Sequence, residues 1–597
     1  MARLDYSAPG VYVEEMNRGS RPIEGVNMSV AGFVGFTEDV RGDARLFEPK
    51  LITDWNQYVE SFGKIDSDGF TDFGAYLPFA VRGWFENGGG RCWVVSIGTQ
   101  LPTSDNPKPK AIPTRATTAG RRACLEFKFK SASASSQNGA LAKADSLASP
   151  SREISRDRIQ VIVEPDTPDP TQIDDDDEPF DTGEYFKIVI EQNGEILDFK
   201  EIPDPEYPGK TKKVTPYRHL SMAKNPSEGT YVVEALEKSA FIEANDISGL
   251  AGNAKGSPLS RRPANGSYEV VPPLEVYPTK KLYPKMYGNP KRRTGVQGLF
   301  EIDEISTVAC PDLMLAYQSR MLTLEQVHGI MEVMITNCEQ STYRMVVLDP
   351  PPVKTPIDPE TTLAVSPEQS KPEDVAQWLK DWGRRSMFAA IYYPWIKVPN
   401  PRANGAGIFV PPCGHMMGVW CNTDETRGVH KAPANVTPRG VVSLAYNTNF
   451  REQELLNPKG INCIRKFPDR GIRIWGARTL VEKEMTEWRY ISVRRLMSYI
   501  ERSIQDGTQW AVFEPNDEDL WARVTRTVSN FLERIWRDGA LFGSSPEQAF
   551  YVKCNEELNP PETMILGRLY VEVGVCPVRP AEFIIFRISQ WSPNEDR

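Results

Sequence analysis

The alternation of strand and helix patterns beyond residue 300 constrains the fold of this chain more than any other feature. STVACPDLM (306–314), YRMVVLD (343–349) and FAAIYYPWIKV (388–398) are apolar runs that read as strands. Between them lie residues 324–340, with apolar side chains at helical spacing, and a capped helix pattern at residues 366–383. Strands and helices that alternate across short turns predict an α/β fold, in which helices cover the faces of a layered sheet.

The first 100 residues carry two further apolar strand patterns. SVAGFVGF (29–36) reads as a buried strand, and a second strand is predicted from Cys92 to Ile97. Gly88, Gly89 and Gly90 precede the second strand, which favours a tight turn over a phosphate-binding loop. A chain of 597 residues exceeds what one hydrophobic core serves, so we expect three or more domains or a core with a large insertion.

Composition changes sharply between residues 101 and 295. SASASSQNGALAKADSLASPS (131–151) is low-complexity sequence, and residues 174–178 are all acidic, so neither stretch buries much apolar surface. EYFKIVIEQNGEILDFKEI alternates on both sides of Asn193-Gly194, a dipeptide that tolerates the positive φ angles of a type I′ hairpin turn. These features predict an inserted, mainly β, outward-facing module with mobile loops.

Charge and hydropathy argue against several classes of protein. The formal net charge of −10 disfavours a general nucleic-acid binder, which carries a basic excess. No run of 18 apolar residues occurs, and the first 30 residues lack the pattern of a secretory signal. We therefore expect synthesis and folding in the cytoplasm, with no membrane insertion and with the nine cysteines reduced.

Residue types suited to catalysis or metal binding are sparse. The sequence has four histidines, no GxSxG nucleophile motif and no Gly-rich phosphate loop, so neither an enzyme nor a cofactor is expected. Cys413, His415 and Cys421 form the one metal-like grouping, and a fourth ligand would have to be His430 or a distant residue. Buried thiols and a structural histidine are the commoner outcome, so no metal site is predicted.

The predicted helix from Leu520 to Arg537 carries two opposed stripes. Its apolar stripe comprises Trp521, Val524, Val528, Phe531, Leu532 and Ile535. Its opposite face carries Arg523, Arg526, Asn530, Arg534 and Arg537. The basic face is either an ordinary solvated surface or a docking strip for an acidic partner, and the residues alone leave both open.

Several motifs in one order give the chain a specific resemblance. They are YSAPGVYVEE and VAGFVGF near the N-terminus, EIDEISTVACPD, NPRANGAGIFVPPCGHMMGVWCNTDETRGVHKAPAN, GINCIRKFPDRGIRIWGARTL, and a block from WRYISVRRLMSYIERSIQDGTQWAVFEPNDEDLWARV to PAEFIIFRISQW. On these motifs the chain resembles the tail sheath proteins of contractile phage tails, pyocins and related contractile injection systems. Residues 101–295 take no part in the resemblance.

The resemblance implies a structural subunit and not an enzyme. Members of this family form six-membered rings that stack helically around an inner tube, and the stack shortens and widens to drive the tube through a target envelope. Their central region is similar to a subtilisin-like α/β fold, although this chain shows no matching catalytic triad. The implied partners are further copies of the chain, possibly with a paralogous sheath protein, the inner tube protein, and baseplate and terminal cap proteins. The implied location is a phage tail or tail-like particle.

Both ends of the sequence carry strand patterns that need a partner, since a lone strand in water is marginal. The family's extended arms add strands to neighbouring subunits, and a free strand is satisfied at another sheet's edge. Pairing within the same subunit is the alternative. The predicted arm residues are Gly10, Val11, Tyr12, Val13 and Glu14 at one end, and Phe583, Ile584, Ile585, Phe586, Arg587 and Ile588 at the other.

These expectations divide the chain into five segments. They are an N-terminal arm (1–24), the N-terminal part of the core (25–100), the inserted module (101–295), a subtilisin-like α/β sheath domain (296–475), and a C-terminal sheath domain (476–597) with an arm strand at 583–590. Arg523, Arg526, Arg534 and Arg537 are the candidate inner-tube contact. The alternatives are an α/β hydrolase and a secreted adhesive β-domain protein, disfavoured by the missing motifs and by the missing signal pattern.

Overall fold

The described part of the chain gathers its apolar side chains into three separate hydrophobic clusters. The computed structural model describes residues 22–102, 114–130, 159–166, 185–192, 195–203, 211–224, 226, 229–249, 256–270, 278–358, 362–403 and 405–587. The first cluster draws on residues 30–97 and 282–491, the second on residues 116–270, and the third on residue 23 and residues 496–575.

The N-terminal part contributes one side of the largest sheet. Its elements are β1 (Val30–Gly35), β2 (Pro49–Ile52), α1 (Trp55–Phe62), α2 (Leu77–Glu86) and β3 (Arg91–Ser96). All six residues of β1 are buried, as its unbroken apolar run predicts. After α2 the chain turns at Gly88, whose φ of +101° suits glycine, so the predicted tight turn is confirmed.

Residues 114–270 fold around the second cluster. Their elements are β4 (Thr114–Thr117), β5 (Ala123–Phe129), β6 (Ile159–Pro165), β7 (Phe186–Gln192), β8 (Glu195–Ile196), β9 (Lys200–Pro203), β10 (Thr211–Val214), β11 (Tyr217–Ser221), β12 (Thr230–Tyr231), α3 (Val232–Glu237), β13 (Ile242–Asp246), α4 (Pro258–Arg261) and β14 (Gly266–Val270). Burial alternates along β7, and β7 pairs antiparallel with β8 as the hairpin pattern predicts. Residues 131–151, 174–178 and Asn193-Gly194 lie outside the described residues.

The chain then completes the largest sheet. The elements are α5 (Leu282–Tyr287), α6 (Gly295–Phe300), β15 (Thr307–Ala309), α7 (Asp312–Gln318), α8 (Leu324–Ser341), β16 (Met345–Leu348), α9 (Pro372–Trp382), β17 (Ala389–Tyr393), β18 (Ile396–Pro399), β19 (Gly407–Val410), α10 (Cys413–Arg427), β20 (Ser443–Leu444), α11 (Phe450–Leu456), β21 (Ile461–Phe467) and β22 (Gly471–Ile474).

The eight strands of this sheet run in the order β2-β3-β1-β15-β16-β17-β21-β22. The six inner strands are parallel, and the two edge strands β2 and β22 are antiparallel to their neighbours. Helices α2 and α10 pack closely because Gly414 has no side chain. A Cβ on Gly414 would lie 2.3 Å from the carbonyl oxygen of Ala80. The predicted layered α/β fold is therefore present in residues 30–96 and 282–474.

The third cluster belongs to the last part of the chain. Its elements are α12 (Ile491–Gly507), α13 (Glu518–Arg537), α14 (Pro546–Ala549), β23 (Phe550–Lys553), α15 (Pro561–Ile565) and β24 (Glu572–Val575). Strands β23 and β24 pair antiparallel in a two-stranded sheet, and α12 and α13 supply most of the apolar side chains.

Two strand predictions need correction. The strand at 306–314 ends at Ala309, because Pro311 precedes the helix α7. The strand at 388–398 is two strands in different sheets, because Pro394 has no N–H to donate to a ladder and separates β17 from β18. Residues 583–587 form no strand with the other described residues, so their predicted pairing with a neighbouring copy stays a prediction, and residues 588–590 lie outside the described part.

Candidate assembly surface

Helix α13 forms as its periodicity predicts. The Asp517 side chain accepts a hydrogen bond from the Leu520 amide at 2.8 Å, which caps the first turn. All six residues of the predicted apolar stripe are buried. The stripe packs into the third cluster, so the basic face is directed away from it.

The four arginines of the basic face have different surroundings. Arg523 forms an ion pair with Glu514 at 3.2 Å, and Arg537 pairs with Glu533 one turn earlier. Arg526 is exposed and has no ion pair among the described residues. Arg534 donates to the main-chain carbonyl of Ile23, so one of the four already holds another part of the chain. The structure brings all four onto one helix face.

The segment from Pro22 to Val26 lies across α12 and α13 before the chain enters β1. Ile23 is buried in the third cluster, and a Cβ on Gly507 would meet its side chain at 2.6 Å. The Val26 amide donates to Ser503 Oγ at 3.1 Å. The N-terminal segment is thus fixed to α12 and α13 from Ile23 onward. The predicted arm residues Gly10, Val11, Tyr12, Val13 and Glu14 lie outside the described residues.

The described C-terminal segment exposes an apolar run. Phe583, Ile584, Ile585 and Phe586 have 70–83% of their surface exposed, and Arg587 is exposed as well. Such consecutive exposure of large apolar side chains is unusual on a soluble surface and marks an interaction site. Ile588 lies outside the described residues. Among the described residues, none pairs with residues 583–587 in a sheet.

A buried ion pair joins the core to the last helices. Arg495 on α12 donates two hydrogen bonds to Asp424 on α10, and both side chains are more than 90% buried. The Arg495 guanidinium also lies over the Trp420 ring, 5.2 Å from its centroid. Sequence reasoning missed this pair, since nothing in either local pattern indicates a partner 71 residues away.

The metal-like grouping does not come together. Cys413, His415 and Cys421 are all buried on α10, and burial raises the pKa of Cys421 to about 12. Burial likewise lowers the pKa of His415 to about 4. Among the described residues, no group of three or more His, Cys, Asp or Glu side chains is placed to hold a metal ion. These residues pack as core side chains.

Two carboxylates are buried where the central strands end. Asp312 accepts amide hydrogen bonds from Phe36 and Tyr76 at 2.7 and 2.6 Å. Asp349 follows β16 and accepts the Cys413 amide at 3.0 Å. Burial raises the pKa of each to about 7, against the opposing effect of these hydrogen bonds. Both acids hold helix N-termini to the sheet.

Two protein-family models match the second half of the chain. A model of the phage tail sheath protein central domain matches residues 385–480, and a model of the phage tail sheath C-terminal domain matches residues 484–590. Residues 385–590 therefore carry matches to the central and C-terminal domains of phage tail sheath proteins, in that order. Tail sheath proteins are structural proteins, so the hydrolase and adhesin alternatives are not favoured.

Curated sheath proteins align with part of the chain. The tail sheath protein of Salmonella phage ViI is 24% identical over 226 residues, which are 37% of this chain and 34% of that protein. The tail sheath protein of Escherichia phage P2 is 24% identical over 177 residues, covering 29% of this chain and 42% of its own. The alignments thus span about a third to two fifths of these relatives.

Solved sheath structures share the fold along nearly the whole chain. The contracted helical sheath of the anti-feeding prophage is 22% identical, with a TM-score of 0.51 over 98% of this chain and 99% of that one. The sheath of the extracellular contractile injection system PVC, also contracted, is 21% identical, with a TM-score of 0.51 over 98% of each chain. Among the described helices of this chain, none has the length and apolar character needed to cross a bilayer.

Proposed function

We propose that this sheath protein polymerises into stacked six-membered rings around an inner tube and contracts to drive that tube through a target envelope. The observation that carries the proposal is the match, in order, to the central and C-terminal sheath domains, together with an exposed apolar segment at residues 583–587. The partners are further copies of the chain, possibly a paralogous sheath protein, the inner tube protein, and baseplate and terminal cap proteins. Assembly takes place in the cytoplasm, within a phage tail or tail-like particle.

The energy for contraction is stored in the lattice. The extended arrangement is metastable and relaxes as subunits rotate as rigid bodies and repack their interfaces, with the arms keeping neighbours linked. Each subunit need gain only a few kcal/mol, because many subunits relax together. The buried Arg495–Asp424 pair supports rigid-body behaviour, since it ties the last helices to the core.

Two finer features belong to the same proposal. The α/β core is subtilisin-like, which its parallel sheet with crossover helices supports. Residues 101–295 form an inserted module on the outside of the sheath, which the separate hydrophobic cluster of residues 116–270 supports. The arm strands Gly10–Met16 and Phe583–Gln590 add to sheets of neighbouring copies.

Removal of the N-terminal arm tests this function. Deleting residues 1–16 should leave a folded chain that no longer polymerises, because its strand cannot join a neighbour. Deleting residues 1–8 is the matched control, since it keeps the predicted strand. Size-exclusion chromatography and negative-stain microscopy should show ribbed cylinders for the full chain and the control. A small discrete species from the full chain, or long cylinders after deletion of 1–16, would contradict the proposal.

A further inference from the structure

We propose that Glu582 is a clamp that fixes the root of the C-terminal arm on the α/β core. The inference rests on the proposed function, because it concerns how the arm at Phe583–Gln590 is positioned for a neighbouring copy. It adds a residue that the arm itself does not contain and that has a definite set of partners.

The Glu582 carboxylate is held by three side chains from distant parts of the chain. Arg478 donates through Nε to Oε1 at 3.0 Å and through Nη2 to Oε2 at 2.6 Å, a two-point pair with a fixed orientation. Asn457 Nδ2 donates to Oε1 at 2.8 Å, and the Tyr490 hydroxyl donates to Oε2 at 3.0 Å. Both carboxylate oxygens therefore accept from more than one donor.

These donors belong to a rigid part of the core. Buried Asn462 on β21 accepts the Arg478 amide at 2.6 Å and donates to the Arg478 carbonyl at 2.8 Å. The same Asn462 amide donates to the Ile391 carbonyl on β17 at 3.1 Å. A chain of hydrogen bonds thus connects the central sheet, through Arg478, to the carboxylate of Glu582.

The electrostatics of the cluster favour an ionised Glu582. Burial alone would raise its pKa, but the hydrogen bonds from Arg478 and Asn457 outweigh burial and hold the pKa below its ordinary value. The Arg478 side chain is 11% exposed and that of Glu582 19% exposed, so water competes weakly for this pair. The cluster is therefore a largely buried contact with several hydrogen bonds, unlike a solvent-exposed ion pair.

Glu582 lies between a segment that is hydrogen-bonded to the rest of the subunit and a segment that is exposed. Before it, the segment leaves β24 along the last helices, where the Val578 amide donates to the Ala540 carbonyl at 3.1 Å. At Glu582 the chain reaches the core, and from Phe583 to Arg587 every residue is exposed. The C-terminal arm is therefore rooted on the core, whereas the N-terminal segment is rooted on α12 and α13 at Ile23.

Loss of the clamp would lengthen the mobile part of the arm. The last hydrogen bond before Glu582 is at Val578, four residues earlier. Without the clamp, a further segment with a contour length of about 13 Å, at ~3.3 Å per residue, is therefore free to move. A longer tether lowers the effective concentration of the arm strand at its acceptor edge. The clamp thus favours assembly by presenting the arm from one fixed point.

The test uses the full chain with Glu582→Ala, with Arg478→Lys as a second variant that keeps the charge but loses the two-point geometry. Glu562→Ala, in the first turn of α15, is the control. Limited digestion of the unassembled protein with chymotrypsin should cut faster after Phe583 in both clamp variants, because cleavage there needs the neighbouring residues to move freely. Circular dichroism should show both variants folded. The protein concentration needed for cylinders to form should rise by about tenfold for Glu582→Ala, and less for Arg478→Lys.

A chain truncated after Glu582 separates the clamp from the arm. If truncation abolishes cylinders while Glu582→Ala assembles at the wild-type concentration, the clamp is wrong and the proposed function stands. If the truncated chain still forms long cylinders, the C-terminal arm's role in the proposed function is wrong and the clamp proposal falls with it. Unchanged cleavage after Phe583 in both clamp variants would also overturn the clamp.

Discussion

At the scale of single residues, two buried carboxylates show that contacts and not residue type decide how a charge behaves. Asp349 accepts one amide hydrogen bond, and burial raises its pKa to about 7. Asp374 accepts from the Thr355 amide at 2.9 Å, the Thr355 hydroxyl at 2.8 Å and the Lys371 amide at 3.1 Å. Although burial opposes them, these three donors lower the pKa of Asp374.

The opposite shifts predict opposite pH dependence. Because the pKa of Asp349 is raised in the folded state, its protonated carboxyl contributes to the free energy of unfolding. This contribution is fully present below pH 4 and is lost as pH rises through about 7. Relative to Asp349→Asn, the wild-type free energy of unfolding should therefore fall by roughly 2–4 kcal/mol between pH 4 and pH 7, at ~1.4 kcal/mol per pKa unit. Urea unfolding of both proteins across this range measures the difference.

Asp374→Asn is the matched control with the reverse sign. Its lowered pKa gives stability that is present above pH 4 and is lost as pH falls below the ordinary aspartate pKa. The wild-type advantage over this variant should thus shrink on acidification. A constant difference between wild type and Asp349→Asn from pH 4 to pH 7 would contradict the assignment of Asp349.

At the scale of elements, the hydrophobic period and the composition of the sequence predicted which helices and strands exist better than they predicted which residues these elements contact. The apolar stripe of α13 and the strands β1 and β16 follow from local pattern alone. The division of residues 388–398 into β17 and β18 could have been read from Pro394, which cannot donate to a ladder. The partners of Glu582 could not have been predicted from the sequence, because Arg478 is 104 residues away and a single glutamate before an apolar run has no local signature.

The basic face of α13 remains a proposed contact with the inner tube, and charge reversal tests it. Arg526→Glu with Arg537→Glu is the informative pair, because Arg534 holds the Ile23 carbonyl and its reversal would also loosen the N-terminal segment. We expect sheaths assembled without tubes or already contracted, since a like charge would face the acidic partner. Negative-stain microscopy of particles produced with the tube protein measures this.

A control of equal charge change separates the helix face from net charge. Lys380→Glu with Arg451→Glu reverses two exposed basic residues on α9 and α11. This control should give extended particles with tubes. If the α13 variant also gives unchanged extended particles, the tube contact is excluded.

At the scale of the whole molecule, the chain ends are rooted across the subunit. The N-terminal segment is held by α12 and α13 at Ile23, and the C-terminal segment is held by the core at Glu582. The resemblance indicated two arms but not their roots, because each root depends on contacts between residues far apart in sequence. The two proposed arms are therefore anchored on different parts of the subunit, which the Arg495–Asp424 pair connects.

The most direct measurement is a helical reconstruction of the assembled protein by cryo-electron microscopy, at a resolution that traces the main chain of both termini. We predict that Val11–Glu14 and Phe583–Ile588 form strands hydrogen-bonded to sheets of other copies. A reconstruction in which both segments pair only within their own subunit, with no strand crossing to a neighbour, would contradict the arm-linked lattice.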